Sequence, residues 1–242
     1  MTEEIAKRDA YARDIQATVV RSETGLVVLD RSVFYARGGG QPGDTGVISW
    51  DGGAARVVDT VHQGDEVVHV IDGDTPPPGQ QVSATIDWER RHLLMRTHTA
   101  LHVLSGIVWR DYGAKVRGGN MEPGEARMDF ELESMSAEFG REVEGKLNAE
   151  LVAGRRVEVE FLPRAHALAD PDLIRTKVNL IPGSVDPIRV IDIEGVDRQA
   201  DGGTHVASTA EVGAVRVVKT ESKGKVFKRM RIALEPSSSG AV

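Results

Sequence analysis

From about residue 15 to residue 86, short apolar runs alternate with polar positions. These are ATVVRSETGLVVLD, TGVISW, ARVVDTVHQGDEVVHVID and QQVSATID, separated by clusters of Gly, Pro and Asp. A period of two broken by turn-forming residues marks half-buried strands joined by tight turns. This part of the chain predicts a small β-barrel or sandwich. The densest breaker segments, YARGGGQPGDTG (35–46) and DGDTPPPG (72–79), are too short to act as flexible interdomain linkers.

After Asp87 the period changes. In WERRHLLMRTHTALHVLSGIVWRDYG, residues Leu93, Leu94, Ala100, Leu101, Leu104 and Val108 fall on one arc at about 100° per residue. His98 and His102 sit together just beyond the edge of that arc. Asp87 can cap the first turn and Gly113 can stop the helix. A second helix is predicted in SAEFGREVEGKLNAELVAG, with Ser136 as N-cap and Phe139, Val143, Leu147 and Leu151 recurring every fourth residue. The strand candidates around these helices are ARMDFELE, RRVEVEFL, PIRVIDI, VGAVRVV and FKRMRIAL. Strands and helices are mixed without strict alternation, so the fold class is α+β, with helices packed on an antiparallel sheet. The expected division is a β-rich domain over residues 1–86, an α+β domain over 87–235, and a disordered tail over 236–242.

Composition narrows the chemistry. With 242 residues, 40% hydrophobic and 28% charged, the chain can bury two modest cores. No apolar run reaches the roughly 18 residues needed to span a membrane, and MTEEIAKRDAYARD is too acidic and polar for a secretory signal. The expected location is the cytoplasm, with no membrane and no obligate protein partner. The absence of cysteine excludes disulfides, thiolate nucleophiles and Cys-based zinc knuckles, so a metal site must use His, Asp or Glu. A net charge of −7 argues against nucleic-acid binding by the whole surface, but local fields can oppose the average.

His98 and His102 are one helical turn apart, the separation at which two imidazoles can share an ion. The competing reading is a pair of histidines on the edge of a core helix. A metalloprotease helix is excluded because Thr99, and not glutamate, follows the first histidine. Downstream, the Gly-rich DRQADGGTHVAST (197–209) offers Asp201 and His205 at the same separation. They can complete a shell of three histidines and one aspartate, or leave three histidines with a position open to water. A surface turn held by Asp201 is the alternative.

RTHTALHVL followed about a hundred residues later by DGGTHV resembles the editing domain of alanyl-tRNA synthetases and their free-standing AlaX-type relatives. The similarity extends across nearly the whole chain. DRSVFYARGGGQPGDTG is similar to the family's N-terminal Gly-rich segment, GGNMEPGEARMDFE to its strand after the histidine helix, and GAVRVVKTESKGKVFKRMRIAL to its closing strands. The length and the Gly-rich segment match the medium-sized form, a β-rich domain plus the editing domain, with neither an aminoacylation domain nor a long C-terminal extension. The resemblance implies a trans-acting, ATP-independent hydrolase that removes serine, with glycine as a second candidate, from mischarged tRNA(Ala). It implies His98, His102 and His205 as metal ligands, with Asp201 where the family most often has cysteine. Zn2+ is the implied metal, and another divalent ion becomes admissible because a carboxylate is a harder ligand than a thiolate. Ala36 stands where proline is expected, a change in loop stiffness more than in chemistry.

The bond at issue is an activated ester, so positioned water and a stabilised oxyanion suffice and no covalent nucleophile is required. The expected nucleophile is water at or beside the metal, and no side chain is assigned as the base. Around the aminoacyl group the candidates are Thr99, Thr204 and the backbone of Gly118, Gly119, Gly202 and Gly203. Arg117 and Asn120 correspond roughly to the family's substrate-facing segment. Gln41, in a loop that lacks the Gly-Lys-Ser/Thr ending of a phosphate cradle, is either part of a tight turn or reaches the terminal adenosine.

Positive charge for an RNA partner lies in Lys219, Lys223, Lys225, Lys228, Arg229 and Arg231 against one acid, Glu221, and the upstream RTK adds Arg175 and Lys177. Lys223, Lys225, Lys228 and Arg229 are the principal candidates for tRNA contact, against the reading of lysines guarding a strand edge. Two other functions remain open. One is a non-catalytic RNA-binding protein that keeps the editing fold, and the other is a metallohydrolase of a small ester or amide.

Overall fold

The computed structural model describes residues 2–170, 172–173, 181, 183, 185–223 and 227–236, with only the backbone of Lys223. The chain divides into two compact units, Met1–Leu94 and Met95–Val242.

In the first unit the strands are β1 (Glu3–Glu4), β2 (Asp14–Glu23), β3 (Leu26–Leu29), β4 (Arg31–Ser32), β5 (Gly46–Trp50), β6 (Gly53–Gln63), β7 (Glu66–Asp72) and β8 (Gln81–Ile86). Six of them close into an antiparallel barrel in the order β2-β3-β7-β6-β5-β8, while β1 and β4 form a short parallel pair. Of the two predicted architectures the barrel is the one adopted. Alternate residues point inward, as Val82, Ala84 and Ile86 do on β8, and they join Val19, Leu29, Ile48 and Val57 in the core. The Gly-rich segment is a tight turn. Gly38 and Gln41 exchange both backbone hydrogen bonds (3.1 and 2.9 Å) across Gly39 and Gly40, whose φ values of 58° and 85° suit residues without a Cβ. Behind the turn, buried Asp44 pairs with buried Arg91, which also donates to the carbonyls of Ala10 (3.0 Å) and Val33 (2.7 Å). Asp44 in turn accepts from the Tyr35 amide (2.7 Å), so the buried pair is well supplied with partners and holds the loop.

The chain passes from the first unit to the second within α1 (Trp88–Tyr112). Asp87 caps this helix by accepting from the Arg90 amide (3.1 Å), and Gly113 ends it at a φ of 62°. The second unit continues with β9 (Val116–Glu122), β10 (Glu125–Glu131), α2 (Ala137–Val152), β11 (Val157–Leu162), α3 (Arg164–Ala169), β12 (Ile188–Ile193), β13 (Asp197–Ala200), β14 (Val215–Lys223) and β15 (Phe227–Leu234). Where the sequence predicts one sheet, there are two antiparallel ones, in the orders β14-β15-β10-β9 and β11-β12-β13. The single apolar arc read for α1 understates its burial, because every residue from Thr97 to Val108 is inside. A helix covered all round meets neighbours on several sides, here the Asp197–Gln199 segment, the Gly124 turn and the Val212 carbonyl.

Serine 136 caps α2, its Oγ accepting from the Phe139 amide (3.1 Å). The buried face of α2, with Val143, Leu147 and Leu151, lies toward β14. Asn148 joins them by exchanging hydrogen bonds with Val215 (2.7 and 2.9 Å). Among the described residues no helix is long and apolar enough to cross a membrane. Arg175, Lys177 and Lys225, and the predicted disordered tail except Pro236, lie outside the described residues.

Candidate metal centre

Helix α1 sets the first two ligand candidates. It is fixed near them by the Arg96 guanidinium on the Val212 carbonyl (2.8 and 3.0 Å) and by the Thr97 hydroxyl, which accepts from the Gly124 amide (3.0 Å). His98 and His102 are 4% and 7% exposed, so they belong to the buried body of the helix and not to its edge. The chain then returns after β13 through a Gly-rich turn. There Asp201 accepts from the Gly203 amide (2.7 Å), and Val206 donates to the Thr99 hydroxyl (3.3 Å). One ligand atom from each of His98, His102, Asp201 and His205 lies within 4.8 Å of the others. Asp201 is 3.7 Å from His98 Nε2 and 3.6 Å from His205 Nε2, and the three imidazole centroids are 4.4 to 5.2 Å apart.

The donor set and its environment fit a divalent cation. The ring nitrogens of His205 are buried, and Nε2, 3.6 Å from Asp201, is at hydrogen-bond distance from no acceptor, a costly arrangement that a cation bound there would relieve. Burial pushes His98 down to about 4, offset in part by the Asp201 charge, and pushes His205 well below its ordinary value. Neutral imidazoles are the form that ligates metal. Burial also opposes the charged form of His102, but there the Asp197 hydrogen bond and the charges of Asp197 and Asp201 prevail, and its pKa is raised.

The support behind these ligands comes from residues that carry no metal-site motif of their own. His102 Nδ1 bonds Asp197 Oδ2 at 2.8 Å, leaving Nε2 for an ion. The amide of Gln199 donates to both Asp197 oxygens (3.0 and 2.8 Å) and to Ser105 Oγ (3.2 Å). Arg189, also buried, donates to the Asp201 carbonyl at 2.9 Å. Gly106 lets α1 approach this region, since a Cβ there would meet the Val196 carbonyl at 2.4 Å. A signal was present: Asp197, Gln199 and Asp201 recur at the strand period of two, placing three polar side chains on one face.

Other candidates are placed elsewhere or are engaged. The Thr99 hydroxyl donates to the Met95 carbonyl (2.9 Å) and accepts from Val206, so it serves the helix and the turn. Thr204 is fully buried beside His205. Arg117 pairs with Glu131 and stacks over Phe227 (5.1 Å), and Asn120 is exposed in the row of Arg127. Neither is gathered with the four ligand candidates. Gln41 belongs to the first unit and is buried. Of the basic residues, Lys228 is 5% exposed, Arg229 is held by both oxygens of Asp129 (2.7 and 2.8 Å), and Lys219 and Arg231 share Glu221 (3.0 Å each). Among the described residues of the positive run, Arg229 and Arg231 are thus paired with acids on neighbouring strands, and Lys219 with Glu221 on its own strand.

Comparisons with known proteins agree with this architecture. The family model for tRNA synthetases class II (A) matches residues 5–90, and that for the threonyl and alanyl tRNA synthetase second additional domain matches residues 188–231. The chain is 39% identical over 228 residues to an alanine–tRNA ligase of Pyrobaculum arsenaticum, covering 91% of this chain and 25% of the ligase. It is 34% identical to the alanyl-tRNA editing protein AlaX-M of Methanosarcina barkeri, over 97% of this chain and 99% of the relative. The AlaX-M of Saccharolobus solfataricus is 35% identical over 98% of this chain and 100% of its own length. With full-length identity at that level, and both family models matched in order, the chain belongs to the AlaX-M family of alanyl-tRNA editing proteins.

Proposed function

We propose that this protein is a trans-acting aminoacyl-tRNA deacylase. It hydrolyses the ester of serine, and of glycine, on mischarged tRNA(Ala), in the cytoplasm, with the editing chemistry in residues 87–235. The observation that carries the reading is the convergence of His98, His102, Asp201 and His205 in one buried cluster, in a chain whose full-length relatives are named as alanyl-tRNA editing proteins.

These four residues would hold the metal, with Zn2+ the expected ion for a set of three nitrogens and one oxygen. When bound, it supplies Lewis-acid polarisation or anchorage of the aminoacyl group. The chain's own residues do the rest. Asp197 keeps the His102 ring turned with Nε2 outward, and Gln199 keeps Asp197 in place. The Gly203 amide and the Arg189 guanidinium hold the Asp201 turn through its carboxylate and its carbonyl. Burial excludes bulk water, which strengthens every charge interaction with a developing oxyanion.

The test is deacylation of Ser-, Gly- and Ala-charged tRNA(Ala) side by side, at low salt, with metal content measured on the same preparation. Serine release should outpace spontaneous hydrolysis while alanine release does not, and His98→Ala should lose both metal and activity. Metal-loaded protein that releases serine no faster than buffer would refute the proposal.

A further inference from the structure

The three-stranded sheet carries an apolar strip that the chemistry above does not use. Strand β11 is an outer strand of that sheet, and Phe161 and Val159 on it are 43% and 38% exposed. In the register, Phe161 is opposite Arg189 and Val159 is opposite Ile191. On the next strand Ile191 is opposite Gln199, and the Asp201 amide donates to the Arg189 carbonyl (3.2 Å), continuing that ladder by one position. Directly opposed residues share a sheet face. Phe161, Arg189 and Asp201 therefore form one row across the sheet, on the face where Gln199 and Asp197 meet Ser105 and His102 of α1.

Distance and charge give the row a meaning. Each step between strands is about 5 Å, so Phe161 lies about 10 Å, Cα to Cα, from Asp201. That is on the order of the reach of an aminoacylated nucleoside from its ester to its base. Arg189, bonded to the Asp201 carbonyl, fixes the spacing in between. The acids of β11, Glu158 and Glu160, alternate onto the other face, where Glu160 pairs with Arg198 (2.8 Å). On the face shared with the metal cluster, β11 thus presents an aromatic ring beside a valine, with no carboxylate of its own to repel phosphate.

We propose that Phe161, flanked by Val159, is the stacking surface for the base of the RNA's terminal nucleoside when its aminoacyl ester is at the cluster of His98, His102, Asp201 and His205. This rests on the deacylase reading and adds to it a specificity element, the requirement for a nucleoside and not merely an amino-acid ester. Stacking on aromatic rings is the usual way a protein holds an unpaired base.

The test uses metal-loaded protein and an uncleavable probe, 3′-deoxy-3′-(serylamino)adenosine, with serinamide as the fragment lacking the nucleoside. Calorimetry on the wild type, Phe161→Ala and Phe161→Trp should show roughly tenfold weaker binding of the nucleoside probe by the alanine variant, the loss of one base–aromatic stack. The tryptophan variant should retain binding, and serinamide should bind all three alike. Equal affinity of wild type and Phe161→Ala for the nucleoside probe would overturn the inference, as would equal weakening of both probes. Self-association of the wild type in sedimentation that Phe161→Ala abolishes would assign the strip to chain–chain pairing and overturn it too. Ser-tRNA(Ala) deacylation run in parallel separates the two levels. A wild type that releases serine with no effect of Phe161→Ala on KM sinks this inference alone, whereas a wild type that releases no serine sinks the reading beneath it.

Discussion

Gly106 and Gly145 are both helix-interior glycines, and replacing each with alanine should move stability in opposite directions. Helix propensity alone favours alanine by about 0.8–1 kcal/mol at either position. At Gly145 of α2 an added Cβ meets nothing within 4 Å, so Gly145→Ala should gain most of that amount. At Gly106 the Cβ would be 2.4 Å from the Val196 carbonyl and 3.1 Å from Asp197 Cβ, against ordinary contacts that begin at 3.4 Å. Either the helix or the Val196 turn must retreat by about 1 Å, the difference between 3.4 and 2.4 Å. The obstacle is backbone, so the overpacking cost belongs near the upper end of its usual range, about 3 kcal/mol, leaving a net loss of about 2 kcal/mol. In a unit of this size that lowers Tm by roughly 4–8 °C. The same retreat pulls Asp197 from His102, so metal affinity should fall as well. Urea and thermal unfolding of both variants, with chelator competition for the metal, measure all of this. A Gly106→Ala protein as stabilised as Gly145→Ala, with metal affinity intact, would refute the claim that this glycine lets α1 seat the Asp197 segment.

Removing Asp197 as alanine should weaken metal binding by about 10–100-fold, the usual worth of a hydrogen-bonded support to a ligating histidine, and unchanged affinity in a chelator titration would contradict the role given to it. In the barrel, burial pushes His69 down to about 4, against a Val27 carbonyl hydrogen bond that works the other way. The unfolded chain takes up that proton near pH 6.5 and the folded one only near 4, so stability should fall as pH drops through this window, by about 3 kcal/mol in all. The difference in unfolding free energy between the wild type and His69→Gln, followed from pH 7 to 4, should show that slope, and a pH-independent difference would count against it. Asp44→Ala leaves the Arg91 guanidinium buried without its carboxylate and should cost about 3–5 kcal/mol in urea unfolding, whereas a loss under 1 kcal/mol would mean the pair is not a buried clasp.

Local features were legible in the sequence because they depend on near neighbours. The Ser136 cap, the Gly113 stop, the alternation of Val82, Ala84 and Ile86, and the one-turn spacing of His98 and His102 are set by a few bonds of chain. The ordered motifs also sufficed to point to the family. Other properties depended on residues far apart in sequence and could not be read locally. Whether β-rich residues 15–86 form a barrel or a sandwich depends on β8 pairing with β2, and the number of sheets in the second unit on the registers of β9 to β15. In the charge run near the C-terminus, Arg229 meets Asp129 and Arg231 meets Glu221 only across the sheet. Asp197, Gln199 and Gly106 acquire their roles only where a turn of β-strand lies against a turn of helix some ninety residues earlier in the chain. Sequence by itself determined the donor atoms, the local periods and the caps, since those are properties of residue type and short spacing. Tertiary structure alone decided which donors converge, which charges are paired and which rings stay exposed, because burial and cross-strand register belong to pairs of segments and not to either one.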